Sequence, residues 1–138
     1  MGNQKILRLN PNCQEDLEEL RFKWGHYKNL SALENLKKIK FLYLGECRAR
    51  VDDLTPITKL KNLVVLKTEN FKLIEDYSPL IALSNLEQLI AGSLVKDLEF
   101  LREMPNLRSV FTTTKKEYTD KKIDELRASL PNLKILSV

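Results

Sequence analysis

Apolar residues return along this chain in short bursts with a fixed internal spacing. Leu63, Leu66 and Thr68 stand at positions 1, 4 and 6 of one burst. The two-residue step between the last pair is strand periodicity, so both side chains point to one face. A turn follows, and then Leu80, Leu83 and Leu86, whose steps of three suit a helical or 3₁₀ return. The same burst is read at Leu17-x-x-Leu20-x-Phe22, Ile39-x-x-Leu42-x-Leu44, Leu86-x-x-Leu89-x-Ala91, Leu107-x-x-Val110-x-Thr112 and Leu133-x-x-Leu136-x-Val138. The intervals between first positions are 22, 24, 23, 21 and 26 residues. Six strands joined by returns are therefore expected. No one unit can bury its own apolar edge, so the units must stack.

The returns carry their own repeat. Asp53-Leu54-Thr55-Pro56-Ile57, Asp76-Tyr77-Ser78-Pro79-Leu80 and Asp97-Leu98-Glu99-Phe100-Leu101 occupy equivalent places, with Asn29-Leu30-Ser31-Ala32-Leu33 as a weaker first copy. Thr55-Pro56 and Ser78-Pro79 read as helix starts, the hydroxyl accepting from an orphan N–H and the proline filling a first position whose donor goes unused. Pro105 and Pro131 close the returns ahead of Leu107 and Leu133. The stretch Leu33 to Ile39 admits a register slip of three residues, which would turn the strand over. Ile39 is preferred, because Asp53 then trails its strand start by 14 residues, close to the 13 and 11 of the next two repeats.

These motifs resemble leucine-rich repeats, and among them the short bacterial internalin-like type with its Asp-Leu-x-Pro-Leu return. The intervals fall in that family's band of about 20–29 residues, and the resemblance runs from residue 17 to 138. It implies an α/β fold: a leucine-rich-repeat solenoid, a right-handed superhelix with a curved parallel sheet on the concave face and 3₁₀ or helical returns on the convex face. One feature departs from the family. Its turn Asn or Cys, three residues past the last strand leucine, is replaced by Gly25, Phe71, Leu94 and Lys115, and only Cys47 conforms. The family's asparagine ladder is therefore expected to be absent, and those turns to be held by apolar packing.

One domain spans residues 1–138, with residues 1–16 as an N-terminal cap that includes a strand at Lys5 to Leu9. Residues 17–115 form the central repeats, and 116–138 a C-terminal helix and last strand. In that helix Thr119 caps, Asp120 favours the positive end, and Ile123, Leu126 and Leu130 make one apolar stripe. Leu20, Leu42, Leu66, Leu89, Val110 and Leu136 are expected to face the core as a ladder.

Alternate strand positions must then look into the concavity. Reading across, Phe41, Tyr43, Val65, Ile90 and Phe111 form an apolar patch where a solvated face would be polar. Arg21, Lys67, Glu46 and Glu69 flank it, and Trp24 follows the first strand. Apolar patches rimmed by charge mark interaction sites, and aromatic and Arg anchors dominate binding energy. These ten residues are the candidate partner-binding set. The resemblance implies protein–protein binding through the sheet without a cofactor, in an adaptor or immunity-type role. A structural or regulatory repeat fragment with an idle concave face is the alternative, with weak nucleic-acid binding through Lys23, Lys67 and Lys115-Lys116 as another.

Composition narrows the remaining chemistry. With 43% hydrophobic and 30% charged residues the chain reads as globular. Cys13 and Cys47 with the single His26 leave a tetrahedral zinc site one ligand short. His26 stands in a Gly25-His26-Tyr27 turn without a nucleophile in register, and the acidic pairs Asp52-Asp53 and Glu18-Glu19 are sequence neighbours that face apart. The four glycines form no phosphate loop. Catalysis, metal and cofactors are therefore not expected. A net charge of +4 is too small to argue nucleic acid, and Glu19, Glu46 and Glu69 interrupt the concave cations. Residues 1–5 lead into no apolar core of the secretory kind, so a cytoplasmic protein is expected.

Overall fold

A computed structural model describes residues 16–22, 29–45, 51–69, 71–114, 116 and 118–138. The proposed cap strand at Lys5 to Leu9 lies outside these residues, as do Lys23, Trp24, Gly25, His26, Glu46, Cys47 and Lys115.

Six strands form one sheet in sequence order: β1 (Glu19–Phe22), β2 (Phe41–Leu44), β3 (Val65–Glu69), β4 (Gln88–Val95), β5 (Ser109–Thr114) and β6 (Ile135–Ser137). Every neighbouring pair is parallel, and the register joins equivalent repeat positions: Leu20 to Leu42, Leu42 to Leu66, Leu66 to Leu89, Leu89 to Val110, and Val110 to Leu136. The expected ladder therefore exists, and the Ile39 register holds. Leu42, Leu66, Leu89 and Val110 are buried, while Leu20 and Leu136, at the two ends of the stack, are half-buried.

Each strand returns through a convex element. Four are 3₁₀ turns, at Ser31–Asn35, Thr55–Lys59, Ser78–Ala82 and Glu99–Glu103, and the last is a helix, α1 (Asp120–Ser129). Between sheet and returns runs one continuous core, including Leu33, Leu36, Ile39, Ile57, Leu60, Leu63, Leu80, Leu86 and Leu101. Among the described strand residues Thr68 is the buried polar one, and it is satisfied by a 3.3 Å hydroxyl contact with the Tyr77 hydroxyl. On α1, Ile123 and Leu126 are buried and Leu130 half-buried, the expected stripe. Thr119 occupies the N-cap without a side-chain hydrogen bond.

The returns start differently from the expectation. The hydroxyls of Thr55 and Ser78 are not the acceptors. Instead the carboxylates of Asp53, Asp76 and Asp97 accept from the N–H two residues on, of Thr55, Ser78 and Glu99, at 2.8, 2.9 and 3.1 Å. Asn29 does the same for Ser31 at 3.2 Å. An ionised oxygen is the stronger acceptor, and the aspartate is already turned back toward the chain in an Asx turn.

An asparagine ladder is present on the side where the strands begin. Asn62 Nδ2 donates to Lys37 O at 2.7 Å, Asn85 to Lys61 O at 2.9 Å, and Asn106 to Ser84 O at 2.7 Å. Each asparagine directly precedes its strand-start leucine, so in three successive repeats one turn is tied to the previous one. On the opposite side Phe71 is fully buried, as apolar packing of the turn requires. Leu94 does not follow it. Strand β4 holds Ile90 against Phe111 and then Leu94 against Thr113, spending two extra residues in a bulge. The bulge turns Leu94 out, 47% exposed, and puts Val95 in its place at 1%.

Candidate functional site

The concave face is set by strand alternation. Leu42 and Leu44 point into the core, so Phe41 and Tyr43 point the other way, in register with Val65 and Lys67 on β3 and with Glu19 and Arg21 on β1. Val65 and Lys67 pair in turn with Gln88 and Ile90, and these with Ser109 and Phe111. The structure thus brings eight of the ten candidate residues onto one surface: Arg21, Phe41, Tyr43, Val65, Lys67, Glu69, Ile90 and Phe111. Trp24 and Glu46 lie outside the described residues.

The face is not the uniformly exposed apolar patch that the pattern suggests. Phe41, Val65, Ile90 and Phe111 are half-buried, and Tyr43 is only 8% exposed. Tyr43 lies down along its strand rather than standing out from it, because Gly45 has no side chain to hold the ring off. Its hydroxyl donates to Glu69 Oε2 at 3.1 Å, Lys67 Nζ stands 4.7 Å from its ring centroid, and the same ammonium pairs with Glu69 Oε1 at 3.0 Å. The hydrogen bond to Glu69 holds the Lys67 ammonium above its ordinary pKa. What faces a ligand at Tyr43 is therefore a Lys67–Glu69 ion pair with an aromatic floor.

A second unit repeats this chemistry one strand earlier. Arg21 Cζ lies 4.8 Å from the Phe41 ring centroid, and its Nε pairs with Glu19 Oε1 at 2.5 Å. The two rings of β2 are thus each overlaid by a cation from a flanking strand, and each cation is neutralised by a carboxylate two residues away on its own strand. Such stacking contributes about 0.5–1 kcal/mol at exposed sites, and the ion pairs little more. Their effect is to fix the long side chains in place.

The face therefore divides. Strands β1 to β3 supply rings, cations and carboxylates, whereas the facing positions of β4 and β5 (Gln88, Ile90, Ser109, Phe111) carry no charge. The sequence reading found the members but missed the stacking, the covering of Tyr43 and the role of Gly45. Opposite charges two apart on one strand face, Glu19 with Arg21 and Lys67 with Glu69, were the available signal. Also missed was Leu73, 57% exposed, which stands three residues before Asp76 as Leu94 stands three before Asp97.

Among the described residues no group of acidic, cysteine or histidine side chains could hold a metal, and no helix is long and apolar enough to cross a membrane. No protein-family model matches the sequence, and no curated protein does. Solved structures do. The internalin inlF of Listeria monocytogenes superimposes with a TM-score of 0.62 at 24% identity, over 82% of this chain and 38% of its own. Internalin C2 of the same organism superimposes with a TM-score of 0.62 at 28% identity, over 90% of this chain and 66% of its own. This chain spans less than two thirds of either. Its curled sheet of six parallel strands with 3₁₀ returns is the leucine-rich-repeat solenoid, of the short internalin-like type.

Proposed function

We propose that the chain is a non-enzymatic recognition module that holds another protein on its concave sheet. The observation that carries this reading is the row Phe41, Val65, Ile90 and Phe111, half-buried on a face that a solvated sheet would make polar. Ile90 and Phe111 serve as the apolar anchors, on the uncharged half where a partner group is desolvated at least cost. Arg21, Lys67 and Glu69 set orientation and association rate more than affinity. Tyr43 acts as the floor that positions Lys67, not as a contact of its own. Trp24 and Glu46 stay in the proposed partner-binding set. The likeness to internalins supports a protein-interaction repeat module, and an adaptor or immunity-type role in the cytoplasm is the form proposed here. A stable partner needs about 800 Å² from this side, and a sheet of six strands spaced about 4.8 Å apart spans a comparable surface.

Phe111→Asp tests this. The variant should melt within a few degrees of the unaltered protein and lose the partner captured from the source cell. Retention of the partner by a folded variant would place the site elsewhere. Capture that weakens steeply with added salt would favour nucleic acid instead.

A further inference from the structure

On the convex side the returns cease to pack evenly where α1 follows the Glu99–Glu103 turn. An α-helix is about 10–12 Å across with its side chains, too wide to continue the stack of tight 3₁₀ turns. A notch of about 190 Å³ opens there, lined by Leu101, Met104, Leu107, Leu130 and Leu133, with Arg102, Pro105, Ser129, Pro131 and Asn132 also on its walls. The asparagine ladder stops at the same place. Asn132 precedes Leu133 as Asn62, Asn85 and Asn106 precede their leucines, yet among the described residues it makes no bond to Pro105, the equivalent of the carbonyls those three reach. A side-chain amide and a backbone carbonyl that are joined in earlier repeats are thus both left open to a ligand. Arg102 is pinned beside them, its Nε donating to Glu99 Oε2 at 2.7 Å and its Nη1 to Ser129 Oγ. Glu99 also accepts from the Tyr118 hydroxyl at 3.1 Å, which divides its charge between two donors. The third guanidinium nitrogen, Nη2, remains for an anion.

We propose that this notch binds the C-terminal residue of a protein chain, with its bulky apolar side chain inside, its last peptide group on Asn132 and Pro105, and its carboxylate on Arg102. Size supports a single side chain. Benzene fills a cavity of about 150 Å³, whereas small-molecule sites run from about 300 Å³ upward. Chemistry supports the peptide, since a carboxamide beside a carbonyl matches the donor and acceptor of a peptide group, and a fixed guanidinium matches a carboxylate. The site shares no residue with the concave set and does not depend on it.

Titration with N-acetyl-glycyl-phenylalanine, followed by NMR of the full chain, tests the proposal. Saturable shifts are expected at the methyls of Leu101, Leu107, Leu130 and Leu133 and at the Asn132 side-chain amide. The C-terminal amide of the same peptide should bind at least fivefold more weakly, and Arg102→Gln should abolish that difference. Asn132→Ala should weaken the acid several-fold without moving the melting temperature. Shifts that are absent or scattered, or equal binding of acid and amide, would overturn the proposal. Phenylacetate binding as tightly as the dipeptide would overturn the peptide part by showing a site for small free acids. Should Arg102→Gln fail to fold, the acid–amide comparison on the unaltered protein decides.

Discussion

The ring of Tyr43 lies against Gly45, two residues further along the chain, where a Cβ would overlap its Cε2, Cζ and hydroxyl. That absence of a side chain lets the ring lie down, and the lying ring lets its hydroxyl reach Glu69 under the Lys67 ammonium. The concave chemistry of β2 and β3 therefore depends on a glycine that touches no ligand.

Gly45→Ala should lift the Tyr43 ring into solvent, because the far end of a side chain yields more easily than backbone. The expected stability loss is about 1 kcal/mol, with a clear rise in quenching of tyrosine emission by added iodide. Gly92→Ala is the contrasting case. A Cβ there would meet the Thr68 carbonyl oxygen at 2.9 Å and the Glu69 Cα at 3.1 Å, so strands β3 and β4 must part. A loss of about 1–3 kcal/mol is expected, read from urea melts. A costlier Gly45 variant with unchanged quenching would refute the packing of Tyr43.

The bulge in β4 makes a prediction from two adjacent residues. Leu94→Ala should change stability by less than about 0.5 kcal/mol, as at other exposed sites. Val95→Ala removes buried methyl groups and should cost about 1–3 kcal/mol. The reverse order would mean that Leu94 is the one turned inward. Leu66→Ala, from the middle of the ladder, should cost about 2–5 kcal/mol and calibrates the pair.

Acid should loosen the returns together. Asp53 is held below the usual carboxylate range by hydrogen bonds from the Thr55 hydroxyl and N–H, and Asp76 by the N–H and hydroxyl of Ser78. A pKa depressed in the folded state adds stability that is present above the unfolded value near 3.8 and is lost as pH falls through the lower folded value. The urea midpoint should therefore drop below about pH 4, and Asp53→Asn with Asp76→Asn should flatten that drop while lowering the midpoint at neutral pH. A double variant with the same acid slope as the unaltered protein would show that these carboxylates are not its source.

Much of this architecture was legible because a parallel solenoid writes the same local constraint six times. Leu42, Leu66, Leu89 and Val110 share a register that any one strand would leave open. What was not legible came from departures between neighbours. The outward turn of Leu94 needs two extra residues in β4 that its own sequence does not announce, since Val95 offers an equally apolar side chain. The aspartate caps at Asp53 and Asp76 were not legible because Thr55 and Ser78 beside them are residue types that also cap, and only geometry separates the two. On the concave face, alternation located Phe41, Tyr43, Ile90 and Phe111, but exposure depends on what lies across the strand. Lys67 and Arg21 read as a charged rim and turn out to lie on the rings themselves. The Asn-Leu pair stands at four strand starts, and at three of them, Asn62, Asn85 and Asn106, it carries the ladder.

Alkali should reveal Tyr118, which joins the helix approach to the Glu99–Glu103 turn. It is buried, and burial, followed by its hydrogen bond to Glu99, pushes its hydroxyl up to about 12. A group whose folded pKa is raised stabilises fully below the unfolded value, 10.0 for this hydroxyl, and loses that contribution as pH rises toward about 12. Stability should therefore decline across that window. Tyr118→Phe keeps the ring, gives up the bond to Glu99 at a cost of about 0.5–1.5 kcal/mol at neutral pH, and should remove the alkaline decline. In the unaltered protein, absorbance at 295 nm should show a late phenolate step that is missing from the variant. A variant with an unchanged alkaline slope would sever the link between this hydroxyl and the docking of α1.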